Sequence, residues 1–227
     1  MDIAERLRRL AVVAADEVRD GMVVGLGTGS TASAVIRELG ARAQQGLRFR
    51  GVATSQRTEA LASSFGIPLL GLDEAPRIDL GIDGADEIDP HLDLIKGGGG
   101  ALLIEKLVAL QCDDYLVVSA TEKSSPALGT NFRLPIEVIA LGHRHTMDRL
   151  AAVGLPTTLR VLDDGHPLVT DGGHLIVDAT TGPMADPAAL GARIKSVTGV
   201  VDHGLFVGIA RRALLVDPAG AVTETRR

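Results

Sequence analysis

The hydrophobic positions along the chain alternate between helical spacing and short continuous runs. Leu7, Leu10 and Ala14 recur at helical spacing, and they predict an amphipathic helix over 3–19. Apolar runs typical of buried strands follow and alternate with further helical stretches. The predicted strands are 22–26, 49–53, 67–70, 78–82 and 115–119, and the later predicted helices are 31–44, 56–65 and 100–111. This alternation predicts an α/β fold with an open, mostly parallel sheet and flanking helices.

After about residue 130 the pattern predicts a smaller α+β subdomain. Its predicted strands are 134–140, 158–162 and 174–178, and its predicted helices are 146–153 and 187–195. A split βαβ layer of this kind predicts a ferredoxin-like subdomain. The tail returns to predicted strands at 204–207 and 213–216. A turn at 217–220 precedes a last short strand, and we expect 223–227 to be frayed. We therefore expect an α/β domain of 1–130 and 206–227, and a small α+β domain of 131–205.

Composition and charge narrow the functional classes. The 227 residues carry a formal charge of -6 and only 2% aromatic residues, so we see no basic stripe or stacking platform for nucleic acid. The single cysteine excludes a disulfide framework, and the six histidines match no metal-binding spacing. No apolar run approaches the ~20 residues of a membrane span, and the N-terminus has no apolar signal-peptide core. We expect a cytoplasmic protein with no metal, no nucleic-acid partner and no membrane partner.

The first candidate loop is Gly25–Thr31, with the sequence GLGTGST, between a predicted strand and a predicted helix. Glycines let a ligand approach the backbone, and free N–H groups at a helix N-terminus bind anions. With the hydroxyls of Thr28, Ser30 and Thr31, the loop predicts a phosphate site. A dinucleotide site would need a third glycine at Ser30, and a P-loop would need a nearby lysine. The alternative without a ligand is a tight turn with hydroxyl capping.

The second candidate loop, DLGIDGADEID at 79–89, places two carboxylates at the end of a predicted strand. Asp83 ends the strand, and Asp86 follows in a tight turn. Ligands of open α/β sheets lie just beyond the carboxyl ends of strands, so this pair suits a hydroxyl-rich substrate. Crowded carboxylates repel, which raises the pKa of one of them. The alternative is a solvated turn, where Asp and Gly are common.

The third candidate loop is KGGGGALLIEK at 96–106. Four consecutive glycines cost backbone entropy, which favours a loop moulded around a ligand. In the helix that follows, both faces carry apolar residues, so we expect Glu105 to lie away from solvent. A carboxylate withdrawn from water is a stronger base and suits proton transfer. The alternative is that Glu105 pairs with a neighbouring Arg or Lys.

Lysine is scarce in this chain, which draws attention to each one. Of the 23 basic residues only Lys96, Lys106, Lys123 and Lys195 are lysines. Lys123 follows the predicted strand 115–119, where its amine suits a phosphate as a point charge. Cys112, which we expect at the end of a helix in apolar company, is interpreted as core filler and not as a nucleophile.

These loops belong to a longer series of motifs. The series is GLGTGST at 25–31, DGADE at 83–87, KGGGGALLIEK at 96–106, LPIEV at 134–138 and VTGVVDHGLF at 197–206. In order and spacing, and nearly end to end, the chain resembles the ribose-5-phosphate isomerases of the A type. The resemblance implies interconversion of D-ribose 5-phosphate and D-ribulose 5-phosphate in the pentose phosphate pathway, without a metal or organic cofactor. It also implies a homodimer or a dimer of dimers, with 131–205 expected in oligomer contacts.

Carried over position by position, the resemblance assigns roles within the loops. Glu105 matches the family's proton acceptor. The positions that match the family's substrate-binding segments are Thr28, Gly29, Ser30, Thr31, Asp83, Gly84, Ala85, Asp86, Lys96, Gly97, Gly98, Gly99 and Lys123. We expect Asp83 or Asp86 to assist ring opening and Glu105 to move the proton alpha to the carbonyl. Lys96 and the glycine-loop N–H groups would stabilise the enediolate oxyanion.

The chain departs from the family pattern in two places near these residues. Members commonly have Arg before the catalytic Glu, where this chain has Ile104, and they often have Lys in the first helix, where it has Arg8 and Arg9. Two other functions stay open. A sugar-phosphate-sensing module would keep the phosphate loop but would need neither Glu105 nor Lys96. Another sugar-phosphate isomerase or a lactonase could use the same scaffold, although no histidine lies in the three loops to open an amino-sugar ring.

Overall fold

The computed structural model describes residues 1–75 and 77–227, and in that part of the chain it contains three sheets and six α-helices. The helices are α1 (Ile3–Ala15), α2 (Ser30–Gln44), α3 (Gln56–Ser64), α4 (Leu102–Leu110), α5 (His143–Ala152) and α6 (Pro187–Lys195). The strands are β1 (Val23–Leu26), β2 (Arg50–Ala53), β3 (Ile78–Asp83), β4 (Glu87–Ile88), β5 (Leu94–Ile95), β6 (Cys112–Ala120), β7 (Leu134–Val138), β8 (Thr157–Leu159), β9 (Leu175–Ala179), β10 (Val200–His203), β11 (Leu205–Phe206), β12 (Arg212–Val216) and β13 (Val222–Arg226). Short 3₁₀ turns lie at Leu72–Glu74 and Thr121–Lys123.

The chain forms two compact units. Unit 1 comprises Met1–Ala85, Ile104–Ser124 and Gly208–Arg227, and unit 2 comprises Asp86–Leu103 and Ser125–Val207. The predicted division grouped 86–103, 125–130 and 206–207 with the α/β domain, whereas here they belong to unit 2. The reason is strand pairing, because β5 lies between β4 and β11 in a small antiparallel sheet.

Unit 1 contains a six-stranded sheet in the order β13-β12-β6-β3-β1-β2. Every neighbouring pair is parallel except β12 with β13, which confirms the open, mostly parallel sheet. A large apolar core joins the sheet to α1, α2 and α3 through residues such as Leu10, Ile36 and Ala62. A second apolar cluster joins it to α4 through Ile104 and Val108. The sheet is therefore buried between helices, as its continuous apolar strands require.

Two glycines of this sheet leave room for the side chains of α4 and β6. A Cβ at Gly25 would come within 2.8 Å of Val108 Cγ1. A Cβ at Gly81 would come within 2.6 Å of Cys112 Sγ and 2.7 Å of the Tyr115 ring. Real Cβ atoms do not tolerate such distances, so β1 requires glycine beneath α4 and β3 requires glycine beside β6.

Unit 2 contains a four-stranded antiparallel sheet in the order β10-β7-β9-β8. Along the chain its elements run β7, α5, β8, β9, α6, β10, which is the ferredoxin-like βαββαβ arrangement and confirms the predicted subdomain. Its core includes Leu134, Ile136, Leu150, Val177 and Ile194, all buried.

Three local expectations are wrong, each because of strand pairing. Residues 67–70 form no named strand, because Leu69 makes only an isolated bridge to Gly51. Cys112 does not end a helix but begins β6, opposite Ile78. The tail 223–227 is not frayed, because β13 pairs with β12 along its whole length. Within residues 1–75 and 77–227, every helix is too short or too polar to span a membrane.

We expect Leu116→Ala to destabilise unit 1 strongly. Leu116 lies in β6 between β3 and β12 and is 0% exposed. Truncation of such a leucine leaves a cavity and costs about 2–5 kcal/mol in the free energy of unfolding. Urea unfolding measures the change, with Leu110→Ala as the control. Because Leu110 is 63% exposed, that variant should lie within ~0.5 kcal/mol of the wild type, and equal effects of the two would contradict the described core.

Candidate active site

The carboxyl ends of three neighbouring parallel strands meet at one edge of the unit 1 sheet. β1 ends at Leu26, β3 at Asp83 and β6 at Ala120, and β3 lies between the other two. The glycine-rich loop after β1, the Asp83 carboxylate and the turn that carries Lys123 therefore share this edge. In open α/β sheets this is the edge that binds ligands.

A cluster of buried hydroxyls shapes the loop after β1. Thr28 Oγ1 lies 2.8 Å from Thr54 Oγ1, 2.8 Å from Ser55 Oγ and 3.0 Å from Thr58 Oγ1. The Thr58 hydroxyl also donates to the Gly27 carbonyl at 2.9 Å. The Thr28 hydroxyl is thus engaged within the protein, which differs from the expectation that it faces a phosphate.

The N-terminus of α2 is open to a ligand. The helix begins at Ser30 after Gly29, whose φ of 117° lies in the region that favours glycine, and no side chain of the described residues caps it. Ser30 is exposed and Thr31 is partly exposed. Uncapped N–H groups at the start of a 15-residue helix attract an anion. Arg8 lines a groove of about 430 Å³ that reaches Ser30, although its guanidinium also pairs with Glu5.

Asp83 is 1% exposed and is held by backbone donors. Its Oδ1 accepts hydrogen bonds from the N–H of Thr28 at 3.1 Å and the N–H of Gly84 at 2.7 Å. A Cβ at Gly27 would overlap this carboxylate. The loop at 25–31 therefore needs glycine at the point where Asp83 packs against it. The two loops that the sequence singled out separately are therefore joined at one carboxylate.

Glu105 lies in the first turn of α4 and is 4% exposed, as the sequence predicted. Tyr115 links Glu105 with Asp83. The Tyr115 hydroxyl donates a hydrogen bond to Asp83 Oδ2 at 3.3 Å, and the charge of Glu105 also acts on this hydroxyl. Burial raises the pKa of Tyr115 well above its ordinary value, and the negative charges of Asp83 and Glu105 raise it further. Glu105, Tyr115 and Asp83 thus form one electrostatic group in unit 1.

Cys112 lies beside this group without the properties of a nucleophile. It is partly buried in the apolar cluster under α4, and its Sγ donates to the Val108 carbonyl at 3.1 Å. Burial raises the pKa of its thiol to about 12, and the carboxylates of Asp113, Asp114 and Asp83 add to the effect. The thiol is neutral at physiological pH, which agrees with its interpretation as core filler.

In unit 2 the glycine loop contacts the Asp86 carboxylate at Gly98. Asp86 Oδ2 accepts a hydrogen bond from the Gly98 N–H at 2.7 Å, and a Cβ at Gly98 would come within 2.6 Å of that carboxylate. Lys96 is 2% exposed, and its Nζ lies 5.7 Å from the centre of the Phe206 ring. Gly98 and Gly99 are exposed, so the loop offers backbone to a ligand.

Lys123 is exposed in a 3₁₀ turn whose position depends on an ion pair. The buried Arg6 of α1 donates to both carboxylate oxygens of Glu122, at 2.6 and 2.7 Å, and to the Val216 carbonyl at 3.0 Å. The Arg6 hydrogen bonds hold the pKa of Glu122 at about 2. The turn beside Lys123 is thereby fastened to α1 and β12.

Sequence reasoning missed Tyr115 and Arg160, because neither belongs to a recognisable motif. Arg160 donates to the carbonyls of Gly97 and Gly98 from more than 60 residues away. The one signal for Tyr115 was that it is the only tyrosine of the chain. Among the described residues no three His, Cys, Asp or Glu side chains form a group that could hold a metal ion.

Comparison with known proteins gives consistent matches. A family model described as ribose 5-phosphate isomerase A (phosphoriboisomerase A) matches residues 50–220. The chain is 47% identical over 226 residues to ribose-5-phosphate isomerase A of Synechococcus sp. (strain JA-3-3Ab), covering 98% of each chain. It is similar to the structure of ribose 5-phosphate isomerase A from Methanocaldococcus jannaschii, with a TM-score of 0.93, 35% identity, and coverage of 98% of this chain and 99% of that one. A D-ribose-5-phosphate isomerase in complex with phospho-erythronic acid gives a TM-score of 0.96 at 33% identity, over 100% of both chains.

Tyr115 allows a direct test of this site, because the chain has one tyrosine and no tryptophan. Its raised pKa means that the folded protein keeps the phenol proton at a pH where the unfolded chain, with an ordinary pKa of about 10, loses it. The stability that this group contributes is therefore complete below pH ~10. It decreases as the pH rises further, by up to ~1.4 kcal/mol per pH unit.

Absorbance titration of tyrosinate and urea unfolding at several pH values measure both effects. Tyr115→Phe removes the absorbance signal. It also removes the part of the alkaline loss of stability that is due to ionisation of the phenol. The part due to Cys112, which acts in the same direction, stays. A phenol that titrates near pH ~10 in the folded protein would contradict the buried position of Tyr115.

Proposed function

The chain belongs to the ribose 5-phosphate isomerase A family, and from that premise we infer that it isomerises D-ribose 5-phosphate to D-ribulose 5-phosphate and back through an enediolate. The observation that carries the mechanism is a buried carboxylate, Glu105, whose charge acts on the same tyrosine as the charge of Asp83 at the carboxyl end of β3. A base at this point can remove the proton from the carbon next to the aldehyde. The same group then returns a proton to the former aldehyde carbon, so no group is lost or gained.

We propose that the phosphate binds at the start of α2 and at Lys123. The uncapped N–H groups and the exposed Ser30 supply donors, and Gly29 and Thr31 complete the loop. Thr28 supports that loop from within through its buried hydroxyl cluster. A lysine at the same sheet edge adds a point charge. Phosphate binding at a distance from the reacting carbons orients them for proton transfer.

The reacting end of the sugar would meet the second and third loops. Asp83 or Asp86, with Gly84 and Ala85 between them, assists ring opening by taking or giving a hydroxyl proton. Lys96 and the loop formed by Gly97, Gly98 and Gly99 stabilise the oxyanion that develops when Glu105 removes the carbon-bound proton. Such preorganised donors are commonly the largest single contribution to catalysis.

A solved relative supports a sugar phosphate as the ligand. That D-ribose-5-phosphate isomerase was determined in complex with phospho-erythronic acid, a phosphorylated sugar acid. The acid combines a phosphate with a carboxylate, and the carboxylate resembles the paired oxygens of an enediolate. We propose that this chain binds the same class of molecule, phosphate at α2 and carboxylate at the glycine loop.

The setting of the enzyme is also a proposal. We propose that it acts in the non-oxidative pentose phosphate pathway, in the cytoplasm, where the reducing conditions suit a chain with a single cysteine. Because lysine and backbone N–H groups can stabilise the oxyanion, we propose that the reaction needs neither a metal nor an organic cofactor.

We expect Glu105→Gln to lower kcat at least ~10²-fold, because the amide cannot accept the carbon-bound proton. Conversion of ribose 5-phosphate to ribulose 5-phosphate is measured with excess EDTA, and wild-type turnover should be unaffected by the chelator. Glu59→Gln is the control, since Glu59 is an exposed glutamate on α3, and it should stay within ~2-fold of the wild type. Full activity of Glu105→Gln would remove the proposed base, and loss of wild-type activity in EDTA would point to a metal.

We propose further that the chain is a homodimer, or a dimer of dimers, in contact through 131–205. Val161 and Val169 of this region are 54% and 61% exposed, so both apolar side chains are available for a contact between copies of the chain. Light scattering on the eluted protein should give at least twice the monomer mass. Val161→Asp with Val169→Asp should lower that mass, whereas Leu110→Asp in unit 1 should not. A wild-type monomer would contradict the proposal.

A further inference from the structure

Arg160 holds the carbonyl side of the glycine loop. It follows β8, and its Nη1 donates to the Gly97 carbonyl at 2.7 Å and to the Gly98 carbonyl at 3.0 Å. The same guanidinium forms a two-pronged ion pair with Asp178 of β9, in which Nε lies 2.8 Å from Oδ2 and Nη2 donates to Oδ1. The side chains are only 15% and 17% exposed. A bidentate pair of this kind is held in one geometry.

The direction of these carbonyls decides where the loop's donors point. In a trans peptide the C=O and the N–H point in opposite directions. Because the Gly98 carbonyl faces Arg160, the Gly99 N–H of the same peptide faces away from it, on an exposed part of the loop. A positive charge at the carbonyl polarises the peptide and strengthens that N–H as a donor.

The neighbouring groups of the loop already have partners. The Gly98 N–H donates to Asp86, and the Gly100 N–H donates to the Gly97 carbonyl at 3.0 Å. Four consecutive glycines have unusual backbone freedom. Asp86 on one side and Arg160 on the other therefore select one conformation of the loop.

We propose that Arg160, braced by Asp178, is a positioning residue for the isomerisation. It fixes and polarises the glycine loop so that the Gly99 N–H donates to the enediolate oxyanion. The proposal rests on the proposed function, in which this loop stabilises that oxyanion. Arg160 acts through the peptide group and not by contact with the sugar, so its loss affects the transition state more than substrate binding.

The chain offers a matched control for a purely structural arginine. Arg212 is 12% exposed and pairs with Asp114 at 2.8 Å and Glu17 at 2.9 Å. Its contacts join β12 to β6, to Glu224 of β13 and to Glu17 just after α1, all within unit 1. Substitution of Arg212 should therefore lower stability without a specific effect on kcat.

The test compares Arg160→Met, Arg160→Lys and Asp178→Asn with Arg212→Met in the full-length protein. We expect the three loop variants to lower kcat by roughly 10- to 100-fold with KM within ~3-fold of the wild type. Inhibition by phospho-erythronic acid should weaken in parallel with kcat, whereas inhibition by inorganic phosphate should not change. A further variant, Arg160→Ala, leaves space for a free guanidinium ion. Guanidinium at sub-denaturing concentration should restore part of its activity, and sodium at equal ionic strength should not.

The outcomes separate this proposal from the function on which it rests. A wild type that is inactive, or a fully active Glu105→Gln, would defeat the proposed function. An active wild type with unchanged kcat in the Arg160 variants would overturn the role of Arg160. The role of Arg160 would also be overturned if the loss of kcat in each variant only matched its loss of stability, as expected for Arg212→Met. Rescue of activity by sodium would overturn it as well. If Arg160→Met fails to fold, the kcat values of Arg160→Lys and Asp178→Asn test the role of Arg160.

Discussion

The proposed chemistry of unit 1 depends on placing a buried acidic side chain at the end of β3. Asp83 is 1% exposed, and an uncompensated charge at such a place is strongly unfavourable. The compensation comes from the N–H groups of Thr28 and Gly84 and from the Tyr115 hydroxyl. Because these donors lie on three different segments, the carboxylate fixes the phosphate loop, its own turn and β6 relative to one another.

The glycines of the motifs follow from the same constraint. At Gly27 a side chain would overlap the Asp83 carboxylate, and at Gly98 it would meet the Asp86 carboxylate. At Gly81 it would meet the Tyr115 ring, which brings the hydroxyl to Asp83. Glycine therefore serves two purposes here. It lets a ligand approach the backbone, and it lets acidic side chains reach the backbone donors that stabilise them.

Local patterns in the sequence predicted most of the fold and the three loops, because periodicity and glycine-rich motifs are properties of neighbouring residues. Contacts between distant residues were not predictable in this way. Tyr115 meets Asp83 across 32 positions, and Arg160 meets the glycine loop across more than 60. The assignment of 86–103 to unit 2 depends on two-residue strands, β4 and β5, which are too short to give a periodic signal. The inward direction of the Thr28 hydroxyl likewise depends on Thr54 and Thr58, one strand away.

Ile104, the residue before Glu105, lies between α4 and the sheet. Its side chain packs with Val108 and Cys112 in the apolar cluster between α4 and the sheet, where a guanidinium would be costly to bury. Glu105 next to it therefore has an apolar residue on one side, while the N-terminal turn of α4 favours its negative charge. Ile104 therefore takes part in packing α4 on the sheet, and the carboxylate next to it lies in the first turn of that helix.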